Sequence, residues 1–249
     1  PAFRRDMFLH GQDHLSNGDQ EQSQKRLDQA NALVTGAMLA AKPVEDPHLT
    51  AAVGFTPSCL QPWLACAPLV PSLLSKDRRE AMQGYEPGKA IAAALDRTQM
   101  EERHVLDRAQ YVWIKTMLEG QILTWGGDRV DMANSMEARP PFLDHHLAAV
   151  AVQVPPELRI KDQREKHVLR EAVAGLLPER LYHREKFAFM APPAHADDDK
   201  LQKLDQLVQA HLSQEAIEAC GLLDPEGVQE LLKRHRSAET PAHERVQLD

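Results

Sequence analysis

Apolar residues along this chain recur at spacings of three and four far more often than they alternate, and that period predicts helices. Leu27, Ala30, Val34, Met38 and Ala41 mark one over 24–41, which Pro43 and Pro47 end. Residues 1–22, broken by Gly11, Asn17 and Gly18, read as loop around the short apolar run Met7-Phe8-Leu9. Pro57, Pro62, Pro68 and Pro71 surround Trp63 in an irregular or short-helix connector that the aromatic is expected to pack. Ser75 is placed to cap a short helix over 76–83. The longest pattern runs from about Glu101 to Trp125. Leu106, Ala109, Trp113 and Met117 share one side, with Ile114, Leu118 and Ile122 beside them, until Gly126-Gly127 interrupts it. Trp113 and Trp125 are expected in the core. Leu143, Leu147, Val150 and Val154 predict a further helix, closed by Pro155-Pro156, and 165–177 an amphipathic one that stops at Pro178. Leu201, Leu204 and Val208 give another. Asp224-Pro225 supplies an N-cap and a first-turn proline ahead of Val228, Leu231 and Leu232. No alternating Val/Ile/Thr run is flanked by hairpin turns, so the fold class is mainly α.

Composition narrows what such a helical chain can be. Its 249 residues are 43% hydrophobic and 27% charged, which is globular. A net charge of −8 without a basic block argues against nucleic acid as a partner. No run approaches the roughly 18 apolar residues of a membrane span, so no membrane partner is expected. Cys59, Cys66 and Cys220 are too few and scattered for a disulfide framework or zinc site, and read as packing residues of a reduced, cytoplasmic protein. The tract Asp197-Asp198-Asp199-Lys200 reads as a solvated loop. His145 and His146 are adjacent, so on a helix they diverge by about 100° and cannot share a metal. No metal site is expected. The chain opens without Met and stops inside what looks like another element, and is read as a fragment.

Three charged clusters remain. The first is Gly127–Asp144, which crowds charges and amides between two helices and ends in Pro140-Pro141. Glu137 and Arg139, two apart, point to opposite faces of an extended segment and need not pair. The segment suits either a salt-bridged corner between helices or a cleft wall holding charge in place. In the second, Lys166 and Arg170 lie four apart on one helical stripe beside Leu169, Ala172, Val173 and Leu176, where two cations face an anion or simply water. In the third, His183–Met190, Lys186 sits in a non-helical loop flanked by aromatics, where a mobile point charge can meet a phosphate.

The order and spacing of these clusters resemble the C-terminal synthetase region of glutamine-hydrolysing asparagine synthetases. Ser135-Met136-Glu137-Ala138-Arg139-Pro140-Pro141-Phe142-Leu143-Asp144 is similar to that family's S-x-E-x-R-x-P-F-L-D signature. Lys166-His167-Val168-Leu169-Arg170-Glu171 is similar to its K-x-x-L-R-E helix, and Arg184-Glu185-Lys186 falls where it carries an active-site lysine. The core match covers 120–193, within one domain assignment of 1–249. The resemblance implies the helical C-terminal part of an α/β nucleotide-binding domain of the adenine nucleotide alpha-hydrolase-like, PP-loop ATPase type, its parallel sheet lying upstream. It also implies the reaction: ATP with Mg2+ adenylates the side-chain carboxylate of aspartate, pyrophosphate leaves, and ammonia from a glutaminase domain displaces AMP. Lys186, Glu137 and Arg139 are then the catalytic candidates, and Lys186, Lys166 and Arg170 the ATP-binding ones. A homodimer is the assembly considered for the full-length form. The family's S-G-G-x-D-S and G-E-G-x-D-E segments and its nucleophilic cysteine are not in this chain, so the chain by itself is expected to be inactive and to form one wall of a site. Two rivals stand beside this reading. One is a superfamily relative with another substrate, such as a β-lactam synthetase or a peptide cyclase. The other is a non-enzymatic helical interaction module.

Overall fold

A computed structural model describes Asp6 and residues 44–162, 164–184 and 198–237. The described residues are mostly helical, and their strands amount to one antiparallel two-residue pair, Ile160–Lys161 with Arg164–Glu165. The predicted 24–41 helix lies outside the described residues, as do Lys186 and most of 1–22. The chain divides into two compact units.

The described part of the first unit comprises Asp6, 47–59 and 91–184. Its core is built where the Pro47–Val53 and Val105–Trp113 helices supply Leu49, Val53, Leu106, Ala109 and Val112, joined by Phe55, Leu95 and Met100, all buried. Pro47, expected to end a helix, begins one, where its missing N–H costs nothing. Gly54 follows in the left-handed region at φ +94°, and its amide returns to the Thr50 carbonyl at 2.8 Å. A side chain there would meet Arg108 Nη1 at 2.6 Å. That guanidinium donates to the Val53 carbonyl at 2.7 Å and stands 5.6 Å from the Phe55 ring centroid. One arginine thus closes a helix end and covers an aromatic. Asp6, in the segment read as loop, is helical and fully buried, its carboxylate accepting the Ser58 amide at 2.9 and 3.2 Å. Burial, and then the neighbouring Asp6 carboxylate, push the Cys59 thiol well above its ordinary range, which leaves it inert.

The long pattern of 101–125 is one continuous rod with a change of winding. His104 caps it by accepting the Leu106 amide on Nδ1 at 3.1 Å, α-helix runs over Val105–Trp113, π-helix over Ile114–Ile122, and α-helix returns for Leu123–Trp125. Trp125 is 67% exposed and not a core residue. The Pro156–Arg159 helix is fastened to this rod by Arg159, whose guanidinium pairs with Asp107 and donates to Gln110.

The described part of the second unit comprises 44–46, 60–90 and 198–237. The prolines of 57–71 start short helices, Gln61–Cys66 and Val70–Leu73, but Leu60 and Leu64 are the buried residues there while Trp63 stays exposed. The Lys76–Ala81 helix is shorter than expected, and Ser75 does not cap it. Its hydroxyl donates instead to the Gly221 carbonyl at 3.1 Å, beside an isolated bridge between Leu74 and Leu223. Asp198–Lys200, expected as loop, opens the Asp198–His211 helix, where its acids suit the N-terminal dipole. The Gln214–Cys220 helix ends at Gly221 and leaves Cys220 exposed rather than packed. Asp224 caps Pro225–Arg236 as expected, accepting the Gly227 amide at 2.9 Å. Gly227 itself is required, since a Cβ would stand 2.0 Å from the Ser72 carbonyl oxygen.

Candidate functional site

The first charged cluster is a sequence of local devices. Gly127 opens the Asp128–Ala133 helix, which the Met136 amide closes by reaching back to the Asp131 carbonyl at 2.9 Å. That is a Schellman turn with Ser135 at its left-handed position, φ +59°, where glycine is usual. The chain then runs extended to Pro140 at φ −64° and ψ 121°, turns through Pro141–Leu143, and enters the His145–Ala151 helix. Asp144 caps that helix by accepting the His146 and Leu147 amides at 2.9 and 3.0 Å. The serine and the aspartate of the signature therefore build its frame.

Between them stand Glu137 and Arg139. Extended geometry does not require them to pair, and they do: Arg139 Nε and Nη2 each lie 3.0 Å from Glu137 Oε1. Their side chains are 63% and 82% exposed, so the pair is not a buried corner holding helices together. An exposed pair of this kind contributes about 0–1 kcal/mol. Both groups remain open to a solute. His145 and His146 do not diverge either, because their rings stand 3.9 Å apart at the start of the helix. Among the described residues no group of three His, Cys, Asp or Glu is arranged to hold a metal ion.

The second cluster departs further from its prediction. The helix is only His167–Ala172, because Arg164 and Glu165 are drawn into the two-stranded pair. Lys166 is its left-handed N-cap at φ +59° and does not share a helical stripe with Arg170. Among the described residues Arg170 is engaged by main-chain carbonyls. Its Nε donates to the Glu165 carbonyl at 3.2 Å, Nη1 to Tyr182 at 2.9 Å and Nη2 to Arg184 at 3.3 Å. The supposed apolar face is not buried: Leu169 and Leu176 are both exposed. Pro178, expected as a stop, starts the Glu179–Tyr182 helix by serving as its N-cap.

These contacts bring the second cluster to the edge of the third. Tyr182 Oη donates to Glu171 Oε1 at 3.3 Å, and the Arg164 guanidinium stands 5.9 Å from the Tyr182 ring. His183 Nε2 lies 2.8 Å from Glu179 Oε2, a pairing legible in the sequence from its spacing of four. An open cleft of about 640 Å3 is lined by Arg180, Leu181, His183 and Arg184. Lys186 follows two residues later, outside the described residues. Among the described residues no hydrogen bond or ion pair joins Glu137 and Arg139 to Lys166 or Arg170.

The Gly126-Gly127 turn is not built to cradle a triphosphate. Gly127 opens a helix of six residues whose first turn carries Asp128 and Asp131, which repel an anion. A Cβ at Gly127 would stand 3.2 Å from the Ile122 carbonyl oxygen, so this glycine serves close backbone packing.

A family model decides the relationship: the one described as asparagine synthase matches residues 9–248. The chain belongs to the asparagine synthase family. The chain is also similar to an amidase of Penicillium rubens, 36% identical over 145 residues, or 55% of this chain and 21% of that protein. It is also similar to the glutamine-hydrolysing asparagine synthetase 1 of Bacillus subtilis, 41% identical over 90 residues, or 36% of this chain and 14% of that protein. The corresponding synthetase of Rattus norvegicus is 46% identical over 65 residues, or 25% of this chain and 12% of that protein. The chain spans about a fifth or less of the length of these relatives. No solved structure matches it. No helix among the described residues is long and apolar enough to cross a membrane.

Proposed function

We propose that this chain is part of the synthetase region of a cytoplasmic, ATP-dependent asparagine synthetase. In that reaction a side-chain carboxylate oxygen of aspartate attacks the α-phosphorus of ATP and pyrophosphate leaves. Ammonia then attacks the acyl carbon and AMP leaves. The observation that carries this reading is the family match over 9–248 running through a signature segment that holds Glu137 and Arg139 exposed on a stiff frame. A carboxylate and a guanidinium kept in place but unburied suit the substrate side of a cleft, where charge must be presented without a folding role.

On this reading Lys186 stabilises charge developing on the phosphates and the acyl-adenylate. Lys186, Lys166 and Arg170 remain the ATP-binding candidates of this chain, and the phosphate-cradling loop, the Mg2+ ligands, the parallel sheet of the PP-loop fold and the glutaminase that supplies ammonia are assigned to further polypeptide. A homodimer is the assembly this reading carries.

The test is Lys186→Ala in the full-length polypeptide that carries this chain. Aspartate-dependent AMP formation should fall by roughly two to three decades, the loss typical of one preorganised electrostatic group. Glutamine hydrolysis should persist. Equal loss of both activities would mean that the lysine holds structure. The amidase relative favours a second reading, the same framework acting on another carboxylate. Pyrophosphate release dependent on a different acid, with none dependent on aspartate, would select it.

A further inference from the structure

We propose that Arg159 is a positioning residue for Glu137 and Arg139, an inference that rests on the reading of that pair given above. Its guanidinium binds Asp107 and Gln110 near the start of the long rod, and so returns the signature stretch to the helix it departs from.

The stretch leaves the rod at Gly126, and none of residues 126–158 is buried. Among the described residues no hydrogen bond or ion pair joins 127–154 to a residue outside it. The turn at Ser135, the bend through Pro141–Leu143 and the Asp144 cap shape the stretch from within, but they do not set where it points. Arg159 supplies that. Nη2 pairs with Asp107 and Nη1 donates to Gln110, two side chains three apart on one face of the Val105–Trp113 helix, which the planar arginine fork can span. The same helix buries Val105, Leu106, Ala109 and Val112, so the tie ends on the anchored part of the unit. The Arg159 and Asp107 side chains are only 16% and 27% exposed, and solvent screens them far less than the open Glu137–Arg139 pair. Arg159 Nε is buried without a hydrogen-bond partner, so this is not the contact that stability alone would select. A part-buried polar tie of this kind favours one arrangement over its alternatives. A carboxylate and a guanidinium serve a substrate only when placed beforehand, and a misplacement of about 1 Å can cost a hundredfold. Arg159 acts through the segment it returns to the rod.

The experiment is a double-mutant cycle across the tie in the full-length polypeptide that carries this chain, reading ATP- and aspartate-dependent pyrophosphate release. Arg159→Gln should lower kcat/KM for aspartate about ten- to a hundredfold and move KM for ATP by less than about threefold. Asp107→Asn, which breaks the tie from the rod, should give a smaller loss of the same kind. The double variant should fall within about twofold of Arg159→Gln, because both substitutions remove one contact. Arg159→Lys, which keeps the charge but not the fork, should recover part of the rate, and it carries the same cycle if the glutamine variant does not fold. Hydrogen exchange should quicken in the His145–Ala151 helix of Arg159→Gln while the amides of Ala109 and Val112 keep their wild-type rates. Exchange that quickens equally in both places, losses that multiply fully across the cycle, or wild-type kinetics in Arg159→Gln overturn the proposal and leave Glu137 and Arg139 their role. Wild-type synthesis by Arg139→Ala overturns both.

Discussion

Two neighbouring stretches of the first unit, 105–112 and 113–184, are written in the same helical period and end in different surroundings. In the first, Val105, Leu106, Ala109 and Val112 are all buried. In the second, not one described residue is buried, although Trp125, Phe142, Leu147, Val150 and Leu176 recur at helical or turn positions. Period specifies that a helix will form and which side is apolar. It does not specify what arrives to cover that side. The short helices of 128–184 are instead held by caps and polar ties: Asp144 on His145–Ala151, Arg159 on the long rod, Arg170 on Tyr182 and Arg184.

The comparison breaks most readily at Leu106. Leu106→Ala should destabilise the chain by about 2–5 kcal/mol, since the side chain is completely buried. Phe142→Ala, a larger truncation in the second stretch, should cost under about 1 kcal/mol because that side chain is exposed. Urea unfolding of the two variants checks both, and equal losses would erase the contrast.

Asp144→Ala tests whether caps carry the second stretch. It removes the acceptor of two backbone amides and should cost about 0.5–2 kcal/mol. Helical circular dichroism at intermediate urea should show the loss ahead of the global transition.

Arg139→Ala separates activity from stability. The pair it breaks is exposed, so the melting temperature should stay within a few degrees of wild type, a change under about 1 kcal/mol. Aspartate-dependent pyrophosphate release by the full-length polypeptide should nevertheless be lost. A large drop in melting temperature with activity intact per folded molecule would make the pair architectural.

The smallest effect is expected at Ser135. Its φ of +59° is a glycine conformation, so Ser135→Gly should leave stability unchanged or raise it by up to about 1 kcal/mol. Differential scanning calorimetry reads the sign.

Much of this was legible in the residues. Asp224-Pro225 announces its helix by cap chemistry alone, and Gly126-Gly127 ends the long rod where the pattern breaks. The signature led to Glu137 and Arg139, yet not to their pairing, because an extended backbone separates Cβ directions and not the ends of long side chains. Lys166 was misplaced for another reason. Asp162 and Lys166 both take left-handed conformations, at φ 49° and 59°, which no residue preference announces, and the helix starts two residues late as a result. The spacing of four places Arg170 on one stripe with Lys166, whereas its partners are main-chain carbonyls up to fourteen residues away. Backbone acceptors have no letter in a sequence.

The π-helix at Ile114–Ile122 carries a consequence for how such a chain can change over generations. A wide turn accommodates an extra residue inside a helix that otherwise continues on its axis. Removing one codon there would let the rod tighten toward α winding and would turn everything after it by about 100°. Gly120, with nothing within 4 Å of where a side chain would stand, is the position at which such a deletion disturbs least. A single-residue deletion would then re-aim Trp125 and the entry to the signature segment while leaving Leu106, Ala109 and Val112 in place, so that the segment after the rod and the core residues before it can evolve on separate schedules.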